Sequence, residues 1–73
     1  MKELYLHEHK FYYDDNASSG AYFLQHHCTE QEARAFLDQA KSKGHIVFED
    51  IENHHYKLTH NPDGTYGIER KIV

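Results

Sequence analysis

Eight histidines in 73 residues are the first feature of this chain that could do chemistry. They fall as His7 and His9, the pair His26-His27, the isolated His45, the pair His54-His55, and His60. On a strand, His-x-His places both rings on one face, because side chains repeat every two residues. If residues 3–13 and 21–28 form two strands closed around Ala17, His27 falls opposite His7. His7, His9 and His27 would then converge as three neutral nitrogens around a zinc-type ion with an open fourth position. Set against this, no pair has the i, i+4 spacing of a helical metal site, and Cys28 is the only cysteine. Half-exposed strand histidines are the better expectation, so no cofactor is assigned and zinc is kept as the alternative. Glu8 alternates to the opposite face and is not a ligand in this arrangement.

Cys28 follows His26 and His27 and immediately precedes a helix start, where the positive end of the dipole favours a thiolate. Adjacent strand residues point apart, however, and an i, i+2 neighbour lies roughly 7 Å away, too far for direct proton transfer. A small packed cysteine is the simpler reading. The carboxylates Asp14-Asp15 and Glu49-Asp50 with Glu52 sit in or beside turn compositions, where acids solvate loops and cap amides. No spacing of a calcium loop is present. The sequence therefore assigns no catalytic residue.

The aromatic residues give a stronger signal. In the expected first hairpin, Tyr5, Phe11, Tyr13 and Phe23 share one face with His7 and His9, while Leu4, Leu6, Tyr12, Tyr22 and Leu24 share the other. Both sides are apolar, yet only one helix is recognisable to cover them. Tyrosine and histidine tolerate water when free and burial when bound, which suits an interface. The expectation is a non-catalytic interaction or regulatory protein whose partner-binding residues are Tyr5, His7, His9, Phe11, Tyr13 and Phe23. The partner is another protein or a second copy in a homo-oligomer. The bland alternative is that the first strand curls and shields these rings itself.

The elements that must position these groups are read from caps and turns. Thr29-Glu30-Gln31-Glu32 is a capping box. Ala33, Phe36, Leu37 and Ala40 then recur along one helical stripe, Lys41 and Lys43 complement the dipole in the last turn, and Gly44 supplies a left-handed stop. The helix spans about Glu30 to Lys43. Asn61-Pro62-Asp63-Gly64 is a hairpin turn that sets Asn61 against Thr65, Leu58 against Ile68, Lys57 against Glu69, and His60 against Tyr66. Tyr56, Leu58, Tyr66, Ile68 and Ile72 fall on one face, with Lys57, Thr59, Glu69 and Lys71 on the other. Residues 45–51 read as a strand ending in a turn near Glu52-Asn53, and residues 14–20 as a loop. The expected fold is α+β: ββαβββ order, a single antiparallel sheet with one helix on one face, and one small domain over residues 1–73.

Composition narrows the function classes. Twelve acidic residues against eight basic give a net charge of −4 with histidine neutral. That balance disfavours nucleic acid, which needs basic surface to displace counterions, and leaves a sheet module that stacks bases as a distant alternative. Full protonation of the histidines would reverse the sign of the charge. A chain this short buries only about 60% of its unfolded surface, so its core is thin. A single thiol cannot form an internal disulfide, and no apolar run resembles a signal peptide or a membrane span. A cytoplasmic protein that does not enter the membrane is expected.

Overall fold

The computed structural model describes residues 2–71. The firm sequence signals become firm elements. The long helix α2 runs Glu30–Lys43 and opens on the expected capping box: the Glu32 amide donates to Thr29 Oγ1 at 3.1 Å, and the Thr29 amide donates to Glu32 Oε1 at 3.1 Å. It closes at Gly44, whose φ of 90° is the positive value a glycine stop provides. Strands β4 (His55–His60) and β5 (Tyr66–Lys71) pair in the expected register, including Leu58 with Ile68, Lys57 with Glu69 and His60 with Tyr66. Strand β3 is His45–Glu49, two residues shorter than the expected segment. The expectation for Ile72 lies outside the described residues.

The N-terminal third departs from expectation. Residues 3–13 are not one strand: β1 (Lys2–Leu6) and β2 (His9–Tyr13) form an antiparallel hairpin joined by His7 and Glu8. Both turn residues have positive φ, 52° and 71°, as a two-residue hairpin turn of this hand requires. The second expected strand, residues 21–28, is helical instead. A 3₁₀ turn, Asp15–Ala17, leads into α1 (Ser18–Tyr22), and a π turn, Phe23–His27, ends in a 3.0 Å bond from the Cys28 amide to the Phe23 carbonyl. Ala17, Gly20, Ala21 and Leu24 are the buried positions of this segment. Their spacing of three and four residues is a helical stripe.

The fold is α+β, but its five-stranded sheet is mixed, with order β1-β2-β5-β4-β3. The chain leaves β2, crosses the sheet through both helical segments, and re-enters at the far edge as β3. Two hairpins then bring β5 back beside β2, and these two strands are parallel. The expected purely antiparallel sheet with one helix is thereby corrected to a mixed sheet under two helical segments. A single-layer cover suffices because its contacts are close. Phe11, Tyr56, Leu58, Tyr66 and Ile68 from the sheet, with Leu24 and Leu37 from the helices, are all at most 3% exposed. Gly20 permits the closest approach, since a Cβ there would stand 2.8 Å from the Tyr56 ring. Among the described residues no helix is long and apolar enough to cross a membrane.

Candidate functional site

The residues nominated for a shared aromatic face do not share one. Phe11 is fully buried in the core, stacked on Tyr66 at 5.4 Å between centroids. Tyr13 and Phe23 pack against the core from its margin, Phe23 lying 6.2 Å from Phe48. His9 meets the Tyr66 ring edge-on at 5.3 Å, and His7 occupies the hairpin turn with Nδ1 3.6 Å from Glu30 Oε1. Tyr5 alone of the set is widely exposed, at 70%, on the helix-free face. The same two rearrangements undo the proposed metal triad. The turn at residues 7–8 breaks the alternation that aligned His7 with His9, and His27 stands on the π turn. Among the described residues no group of three or more His, Cys, Asp or Glu side chains is placed to hold a metal ion.

The helix-free face carries paired charges beside the exposed Tyr5 and Val47. Lys10 donates to Glu3 at 3.0 Å and lies 5.8 Å and 5.1 Å from the centroids of Tyr5 and Tyr12. The hydrogen bond to Glu3 and a second contact with Tyr12 hold its ammonium above the ordinary lysine pKa. Lys57 stands opposite Glu69, and His55 Nε2 lies 2.8 Å from Glu49 Oε1. Gly67 leaves a shallow groove of about 290 Å³ beside Tyr12 and Thr59, and the Thr59 hydroxyl buried there has no partner among the described residues.

The more enclosed chemistry lies where α1 and the π turn meet the β3–β4 loop. Asp50 is the one buried charged residue among those described, 8% exposed. Its Oδ1 accepts the amides of Glu52 and His54, each at 2.9 Å. Its Oδ2 accepts the Tyr56 hydroxyl at 3.0 Å and lies 3.2 Å from His54 Nδ1. Burial alone would raise this carboxyl's pKa, but the donors outweigh it and hold Asp50 below the usual carboxylate range. The loop is thereby pinned on a carboxylate that accepts two amides and a phenol, with Asn53 at φ 64° closing the turn.

Around this anchor is a cleft of about 350 Å³ lined by Ser18, Ser19, Tyr22, His27, Asp50, Ile51 and Glu52. Tyr22 and Ile51 are large apolar residues left 55% and 68% exposed at its walls. Tyr22 is backed by His26 and His27, with ring centroids 4.3 Å and 5.5 Å away. π turns are frequent at functional sites. Here the π turn carries His27 to the cleft. Comparison with protein-family models, curated proteins and solved structures found no match to this chain. The cleft therefore has to be read from its own chemistry.

Sequence reasoning named His27 but gave it the wrong neighbours. It missed Tyr22 and Ile51 as a pair, because they come from elements 29 positions apart that only the fold brings together. Asp50 was read as a solvated turn acid. Its alignment with His54 and Tyr56, both on the same hairpin arm, was the available signal. Cys28 is half-buried, and burial first, then the nearby Glu32 carboxylate, push its thiol pKa up. That is the opposite of an activated thiolate.

Proposed function

We propose that this protein is a non-catalytic interaction module that takes up a short segment of a protein partner in the cleft between α1, the π turn and the β3–β4 loop. The observation that carries this reading is the exposure of Tyr22 and Ile51 along a cleft whose buried member, Asp50, is held by hydrogen bonds from its own loop. Tyrosine and isoleucine offered around a preformed depression can grip one apolar side chain. The hydroxyls of Ser18 and Ser19 and the carboxylate of Glu52 supply polar contacts beside it. Glu52 and the chain's net charge of −4 favour a segment with a basic residue next to its apolar anchor.

Asp50 serves this reading as a structural anchor, because its own chain already occupies both carboxylate oxygens. A reducing, cytoplasmic setting suits the lone thiol of Cys28. A base-stacking role for Tyr5 and Tyr12 has less support: Lys10 is paired with Glu3, and Lys57 faces Glu69. Those lysines have carboxylates beside them that phosphates would have to displace.

Selection of peptides displayed on phage against the immobilised protein tests the reading. Enriched peptides should place Leu, Ile, Met or Phe beside Lys or Arg. They should perturb the amide resonances of Tyr22, His27, Ile51 and Glu52, and lose binding in Tyr22→Ala and Ile51→Ser variants. Peptides that map to the groove at Gly67, or no enrichment above an unrelated protein, would reject it.

A further inference from the structure

We infer that the edge strand β3 pairs with itself, joining two copies of this chain into one continuous ten-stranded sheet about a twofold axis at Val47. The inference is independent of the cleft and rests on three features of His45–Glu49. The first is the direction of the backbone groups. The His60 amide donates to the Gly44 carbonyl at 3.0 Å, and the Asp50 amide to the His54 carbonyl at 3.1 Å. These bonds flank the β3–β4 register at both ends. In an antiparallel ladder hydrogen-bonded pairs alternate with non-bonded ones, so Ile46 and Phe48 direct their backbone groups to β4. The amides and carbonyls of His45, Val47 and Glu49 therefore point outward. In the strand order β3 is terminal, and among the described residues no strand pairs with that outer edge.

The second feature is self-complementarity. An antiparallel pairing centred on Val47 sets Val47 against Val47 of the second copy. It also sets His45 against the partner's Glu49, twice over by symmetry. All three residues are those with outward backbone groups, so every hydrogen-bonded position of the new ladder is filled. Ile46 then meets the partner's Phe48 on the helix-covered side, where Phe36 already stacks 5.8 Å from Phe48 and is only half-buried. Strand β1, the other edge, has no such match: centred on Leu4 it would set Glu3 against Tyr5 and Lys2 against Leu6.

The third feature is what the edge lacks. Proteins that keep an edge strand solitary interrupt it with an inward charge, a central lysine, a proline or a bulge. The middle of β3 is Val47, 47% exposed, with alternating burial unbroken from end to end. A chain of this size also gains from the extra apolar burial, since its own core is small.

Sedimentation equilibrium combined with amide hydrogen exchange across a concentration series tests this on the intact chain. A dimer should form with rising concentration, and the amides of His45, Val47 and Glu49 should slow together with it. Val47→Glu places like charges on the axis while facing Lys57 favourably within its own sheet. It should weaken dimerisation by about tenfold or more, with an unchanged circular dichroism spectrum. His45→Glu alone should weaken it, and adding Glu49→Lys to that variant should restore it. Tyr22→Ala should leave the dimer intact, and Val47→Glu should leave peptide binding at the cleft intact, so the two readings fail separately. A monomer at every concentration, a dimer indifferent to Val47→Glu, edge amides that stay fast in the dimer, or open-ended polymers would each overturn the inference.

Discussion

The Tyr56 hydroxyl donates to Asp50 Oδ2 at 3.0 Å, tying a fully buried strand residue to the loop that closes its own hairpin. The same ring is the surface on which Gly20 of the N-terminal helical segment rests. The loop, the sheet and the N-terminal helical segment are thus positioned by one phenol. Burial and the adjacent carboxylate both keep that phenol protonated, so it remains a donor.

Replacement of Asp50 should therefore be costly. Asp50→Ala strands two amides and the Tyr56 hydroxyl, each orphaned donor costing about 1–3 kcal/mol where water cannot reach it. Water can reach the Glu52 amide, so the expected loss is about 2–3 kcal/mol, read as a lower urea midpoint with an unchanged slope. The acid limb provides a second check. A carboxyl whose folded pKa lies below its ordinary value of 3.8 adds stability above that pH. That stability drains away as pH falls from 3.8 through the lower folded value. Asp50→Asn should flatten this limb. Asp63→Asn, at an exposed turn where the shift has the same direction, should change it little.

Gly20→Ala should destabilise the fold although alanine is the better helix former. Helix propensity would favour the change by about 1 kcal/mol. The new Cβ, however, would stand 2.8 Å from two carbons of the fully buried Tyr56 ring. Overpacking of this kind costs about 1–3 kcal/mol, so clash should win and the melting temperature should fall. In a Tyr56→Leu background Gly20→Ala should cost less than in the parent chain, because the ring it meets is gone.

The contrast between the two ends of the chain shows what was legible before the fold was known. Helix α2 and the β4–β5 register were readable because their determinants are local. Thr29 and Glu32 cap each other, and the turn at Asn61-Pro62-Asp63-Gly64 fixes which residues face each other. The turn at His7-Glu8 carries none of the glycine, asparagine or proline that announces one, and its positive φ angles are held by the pairing of β1 with β2. The helical stripe of Ala17, Gly20, Ala21 and Leu24 was hidden because two of its members are small enough to read as loop. The candidate cleft was illegible for the same reason: Tyr22 and Ile51 line one cleft only if residues 18–27 are helical.

Cys28 should react slowly. Burial and the Glu32 carboxylate raise its pKa above the ordinary 9.0, so less thiolate is present near neutrality than in a free cysteine. Alkylation by iodoacetamide at pH 7.5 should run several-fold below the rate for an unfolded control, roughly as thiolate fraction and access both fall. Its pH–rate midpoint should lie above 9.0. Glu32→Gln should shift that midpoint down while keeping an oxygen to accept the Thr29 amide, so thermal stability should change little.

The His7-Glu8 turn should be improvable. Each non-glycine residue in the left-handed region carries a strain of about 1–2 kcal/mol, and this turn holds two in succession, at φ 52° and 71°. Glu8 is exposed, so replacing it removes little packing. Glycine occupies positive φ without the Cβ clash, while its extra freedom in the unfolded chain takes back part of the gain. Glu8→Gly should therefore raise stability by about 0.5–1 kcal/mol, with the β1–β2 amides exchanging more slowly. Glu8→Val should do the reverse, because a β-branched side chain tolerates this region least. If Glu8→Gly instead lowers stability, the hairpin is not strained at this position, and the pairing of β1 with β2 does not have to overcome its turn.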